Sequence, residues 1–133
     1  MTNHWVRFRE DQTVRFGILQ GEQIRVCEGD MFIRAIPTTR LVPLASVELL
    51  TPVEPSKVIA LWNNFHALGE KLGLPVPSEP LYLIKSPNSY LQPGGTIRKP
   101  PCDGKVVFEG ELGIVIGKTC KQVPEREALG HVF

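Results

Sequence analysis

Val106-Val107-Phe108-Glu109-Gly110-Glu111-Leu112-Gly113-Ile114-Val115-Ile116 is an apolar stretch interrupted by two glutamates one residue apart. Side chains alternate across a strand, so Glu109 and Glu111 would point the same way, with Cα atoms roughly 6.5–7 Å apart. Val107 and Val115 share that face, and Phe108, Leu112, Ile114 and Ile116 form the other. A strand written this way is expected to be buried on both sides. Two like charges buried side by side are costly unless something positive lies between them. A divalent cation with oxygen ligands, Mg2+, Mn2+ or Ca2+, removes that cost. The competing reading is a solvated pair on an exposed face, and the stretch alone does not choose between them.

The 133-residue chain has ordinary apolar and charged content, and its net charge of +1 mixes both signs. It therefore has no electrostatic footprint for nucleic acid or an anionic membrane. No run approaches the ~18–20 apolar residues needed to span a bilayer. Met1-Thr2-Asn3-His4-Trp5 lacks the basic and apolar regions of a signal peptide, so a cytoplasmic location is expected. Cys27, Cys102 and Cys120 fit no zinc spacing and are expected to remain thiols. Twelve prolines and twelve glycines favour a strand-rich and loop-rich chain over a helical bundle.

Residues 1–54 read as a small β-rich domain. Trp5 to Arg9 is a strand candidate. Val14, Phe16 and Ile18, then Ile24 and Val26, alternate with polar residues or glycine around Gln20-Gly21-Glu22-Gln23, the signature of a hairpin. Gly29-Asp30 marks a second turn, and Leu41 to Leu50 reads as a strand or short extended passage around Pro43. Pro52 and Pro55 mark a boundary, so residues 55–133 are assigned to a second domain.

In that domain Lys57 to Trp62 predicts a buried strand. Asn63-Asn64 would cap a helix over Phe65–Leu72, which Gly73 ends and Pro75 and Pro77 forbid from continuing. Leu81 to Ile84 is another apolar run, and Pro124 to Leu129 reads as the start of a helix. The chain stops directly after it, at Gly130-His131-Val132-Phe133, where a longer parent is expected to continue.

His66 and Glu70 are four apart and share a face of the expected helix. A carboxylate beside an imidazole fixes its tautomer and raises its basicity, as a general base requires. The same spacing also occurs on solvated polar faces. Lys85, at the end of an apolar run, is either a snorkelling surface lysine or a cation facing an anionic substrate.

The ordered set resembles the fumarylacetoacetate hydrolase family. It comprises an apolar strand, an Asn-rich turn, a helix bearing His66 and a Leu-Gly-Leu-Pro-x-Pro segment. A strand ending in Lys-x-Pro-x-Ser, a Pro-Gly turn and Glu-x-Glu-Leu-x-Val-x-Ile-Gly follow. The likeness runs from about Lys57 to the end, and the first 54 residues resemble the family's small N-terminal domain. It implies a mixed α+β, β-rich fold, with the first part of a mixed β-roll or sandwich catalytic domain. It further implies a catabolic, homodimeric hydrolase, lyase or isomerase that uses Mg2+ or Mn2+ on small oxo acids such as acylpyruvates. By the resemblance Glu109 and Glu111 match two metal ligands, His66 the histidine that activates water, and Lys85 a lysine near the substrate. Two departures stand out. The family's glutamate three residues after the histidine is Gly69 here, with Glu70 one step on. The third acidic ligand, an aspartate, is expected beyond Phe133, so the chain alone is expected to lack a full site. The alternative is a non-catalytic scaffold or subunit fragment of such an enzyme.

Overall fold

The computed structural model describes residues 3–133 and is β-rich with short helices. Five strands build an antiparallel sheet: β1 (Trp5–Glu10), β2 (Thr13–Gln20), β3 (Gln23–Asp30), β4 (Arg34–Pro43) and β5 (Glu48–Leu49). Their order is β4-β3-β2-β1-β5. The expected hairpin forms with Gln20 paired to Gln23, which leaves Gly21-Glu22 as a two-residue loop. Gly21 takes φ 61°, the positive value such a loop demands of its first residue. Alternation then brings Phe8, Ile24, Val26 and Val42 together as the buried core, with Val6, Leu19, Leu44 and Val47 packed against it. Gly17 makes this packing possible, since a Cβ there would stand 2.3 Å from Ile24 Cγ2 and 3.2 Å from Phe8 Cε1.

The strand after β3 starts earlier than its apolar residues suggest. Asp30 turns the chain through a hydrogen bond from Phe32 N–H to its Oδ1 at 2.7 Å, and β4 runs from Arg34 with Pro37 and Pro43 inside it. Both prolines are tolerated because β4 is an edge strand. The register slips between Arg25 and Cys27, and the Thr38 hydroxyl donates to Val26 O at 2.8 Å across the irregularity. Leu41 to Leu50 is thus not one strand. It is the end of β4, a 3-10 turn at Leu44–Ser46 and the two-residue β5. Cys27 is buried, and that burial pushes its thiol up against the weaker opposing pull of Arg25, so it stays protonated.

The chain divides into two compact units, one holding residues up to Leu50 together with Thr96–Phe133, the other Thr51–Gly95. In the second unit, β6 (Val58–Trp62) and β7 (Leu81–Lys85) pair antiparallel around α1 (His66–Leu72). The apolar run before the helix is therefore a strand, but not a buried one, as Ile59 is 56% and Trp62 53% exposed. A two-stranded ribbon has only one neighbour per strand, and here only Val58 and Ala60 of its ten residues are even partly buried.

In the first unit, the expected glutamate strand is not formed. Of Val106–Ile116 only Ile116 makes a β-bridge, to Val132, and Phe108 is 98% exposed. A strand needs a partner for its backbone groups and a surface for each apolar face. Among the described residues no segment pairs as a strand with 106–114. What is ordered nearby is the end of the chain. Phe133 N–H donates to Val115 O at 2.9 Å, Gly117 N–H to His131 O at 2.8 Å, and the Phe133 ring meets Phe32 with centroids 4.6 Å apart. The last helical turn, α2 (Glu125–Ala128), follows Pro124 as expected.

Candidate active site

α1 begins one residue later than its pattern suggests, with Phe65 at the cap position and no side chain capping it. Neither Asn63 nor Asn64 serves that role, because Asn63 sends its Nδ2 to Pro75 O at 3.0 Å instead. Gly73 closes the helix in the left-handed conformation, at φ 65°, as glycine is used to do. The expected stripe of Phe65, Leu68 and Leu72 is present but faces solvent, at 52%, 43% and 59% exposure.

His66 and Glu70 both line one open groove of about 360 Å3, lined also by Trp62, Asn63 and the segment from Leu74 to Leu81. Among the described residues the two side chains exchange no direct hydrogen bond, though both line the groove. Glu79 lines it too. Spacing did not single it out, because it sits in a Pro-flanked loop with no periodicity to read. Lys85 is elsewhere. It pairs with Val58, while Trp62, which leads into α1, pairs with Leu81 at the other end of the ribbon. Four residues of strand separate those ends by roughly 13 Å.

Glu109 and Glu111 are exposed and lie outside any strand, so the expected burial of the pair is not met within this chain. Their oxygens are the hard donors that a divalent cation prefers. Among the described residues, however, no group of three or more His, Cys, Asp or Glu is gathered closely enough to hold a metal ion. The pair fits as part of a ligand set and does not complete one.

No described helix is long and apolar enough to cross a membrane. Residues 3–52 match the family description "Rv2993c-like, N-terminal", and residues 57–133 match "Fumarylacetoacetate (FAA) hydrolase C-terminal". An uncharacterised protein of Archaeoglobus fulgidus is 38% identical over 92 residues, which is 69% of this chain and 37% of that protein. A mitochondrial oxaloacetate tautomerase of Arabidopsis thaliana is 36% identical over 77 residues, 58% of this chain and 34% of the relative. The crystal structure of 2-hydroxyhepta-2,4-diene-1,7-dioate isomerase from Mycobacterium marinum superposes with a TM-score of 0.81 at 29% identity, covering 98% of this chain and 51% of that one. The chain thus spans about a third to a half of the length of these relatives. With more than half of its residues matched to the catalytic domain, the chain belongs to the fumarylacetoacetate hydrolase family.

Proposed function

We propose that this chain carries the proton-transfer part of an enzyme that isomerises a small oxo acid. The observation that supports this reading is that His66 and Glu70, one helical turn apart, line the same groove. There His66 would take a proton from the carbon next to a carbonyl and return it to the oxygen, and the Glu70 carboxylate in the same groove would favour the protonated imidazole by its charge. Hydrolysis or decarboxylation at a carbon–carbon bond would start from the same base. Isomerisation is preferred because the relatives named for a reaction are a tautomerase and an isomerase.

Glu109 and Glu111 would contribute to holding Mg2+ or Mn2+, which when bound supplies Lewis-acid polarisation of the substrate's oxo group. Lys85 stands outside the groove, so its proposed role is to attract the second acidic end of a substrate. A homodimeric full-length enzyme in the cytoplasm belongs to the same proposal, although the Arabidopsis relative is mitochondrial.

A second reading, a non-catalytic scaffold, is favoured by the exposed glutamates and the absence of a third acid beside them among the described residues. Keto–enol interconversion of oxaloacetate, followed with Mg2+ or Mn2+ present, separates the two. The catalytic reading expects turnover by this chain and a loss of about 10^2–10^4-fold in His66→Ala. If the chain neither turns over an oxo acid nor binds Mn2+, the scaffold reading holds for it, and chemistry belongs at most to a longer parent.

A further inference from the structure

Glycine is a poor choice inside a helix, yet Gly69 is the one buried residue of α1. The reason lies across the turn that precedes the helix. A Cβ at residue 69 would stand 3.0 Å from Asn63 Oδ1 and 3.8 Å from Leu74 O. Asn63 itself takes φ 52°, a left-handed conformation that asparagine tolerates better than most residues. Its carboxamide therefore lies against the helix at Gly69 and, through Nδ2, is tied to Pro75 O beyond the helix. Leu74 N–H donates to Gly69 O at 2.9 Å and Gly73 N–H to Glu70 O at 3.1 Å, so the strand exit and the helix end meet at one place.

A seven-residue helix does not hold itself. Its apolar stripe faces solvent and anchors little. We propose that Asn63 is a positioning residue: seated on Gly69 and tied to Pro75, it sets where His66 and Glu70 stand along the groove. Gly69 leaves the space beside which the carboxamide lies. The catalytic part of this inference rests on the proton-transfer reading, and the tie itself does not.

A double-mutant cycle on the full chain tests both parts. Asn63→Gly keeps the left-handed backbone and removes the carboxamide, and Gly69→Ala adds a methyl 3.0 Å from where the Asn63 Oδ1 lies. Each single change is expected to speed amide hydrogen exchange at Gly73 and Leu74 by about tenfold, with Ile24 in the sheet unaffected. In the Asn63→Gly background, Gly69→Ala should instead slow exchange, because alanine is the better helix former once nothing occupies its place. A Gly69→Ala that slows exchange in both backgrounds overturns the tie, as does an Asn63→Gly with unchanged exchange at Leu74. In the oxaloacetate assay Asn63→Gly should lower kcat about tenfold or more while KM stays within about twofold. An unchanged kcat overturns the positioning role. An inactive wild type overturns the proton-transfer reading alone, leaving the exchange cycle to decide the tie.

Discussion

The sheet of residues 5–49 and the apolar runs that follow it are written in the same alphabet of Val, Ile, Leu and Phe, yet they end in opposite environments. Phe8 is fully buried, and Phe108 is 98% exposed. The difference is not hydrophobicity. In the first sheet β2 and β3 lie between strands that adjoin them in sequence, the loops between β1, β2 and β3 are two residues long, and β5 returns within the same fifty residues to pair with β1. Its core closes locally. Val106–Ile116 asks for cover on both faces and a partner on each edge, and among the described residues only its last two residues find a partner, in the end of the chain. An apolar pattern states a demand for burial, and only topology states whether the chain meets it.

The largest expected effect sharpens that comparison directly. Phe8→Ala should destabilise the sheet by about 3–5 kcal/mol, because a fully buried aromatic leaves a cavity in a well-packed core. Urea unfolding followed at Trp5, on β1 itself, checks this. A cost below about 1 kcal/mol would mean the core is looser than its packing indicates. Next comes Gly17→Ala. Its methyl would meet Ile24 Cγ2 at 2.3 Å and, less yielding, Arg25 O at 2.8 Å. Overpacking of this kind costs about 1–3 kcal/mol. Should Gly17→Ala be neutral, β2 and β3 do not approach as closely as described.

The third effect is small by design. Phe108→Ala and the pair Glu109→Gln, Glu111→Gln should each change unfolding stability by less than about 0.5 kcal/mol, as expected at exposed positions away from packed contacts. A large loss in Phe108→Ala would break the comparison, since it would show the stretch buried in solution, by self-association or otherwise. Repeating the glutamate exchange with Mn2+ present sharpens it further. A stabilisation by Mn2+ that both glutamines abolish would place a cation on these two carboxylates.

How much of this was readable beforehand differs between the regions for the same reason. The β2–β3 hairpin was legible because its alternation and its Gly21 turn are local signals. β4 was not, because Pro37 and Pro43 break its pattern and proline is admitted only at the edge of a sheet. On α1, the shared placement of His66 and Glu70 was legible from helical spacing, and Gly73 as the stop. The asparagines were misread as caps, because composition marks a polar turn but not the distant Pro75 carbonyl that draws one of them away. Lys85 was placed near the other site residues by resemblance. Antiparallel pairing with Val58 across an intervening helix, a non-local fact, sets it at the opposite end of the ribbon. The glutamate pair shows the limit most plainly, since its burial depended on partners that no local pattern reports.

The smallest effect concerns charge at the edge of the well-built region. Glu10, at the end of β1, accepts from the Arg40 guanidinium, and Arg15 lies 3.4 Å from its other oxygen. The Arg40 hydrogen bond, aided by both positive charges, holds the Glu10 carboxyl below its ordinary value. A folded-state value that is depressed stabilises the sheet at pH above the unfolded value, near 4.3 for a glutamate. That contribution shrinks as pH falls through the folded value, so the sheet should lose stability on acidification below about pH 4–5. The group is solvent-accessible, and salt should weaken the effect further. Urea midpoints measured between neutral pH and pH 3 for the wild type and Glu10→Gln check it: the two should converge as the pH drops. Curves that stay parallel would mean the Arg40 contact contributes nothing to the fold.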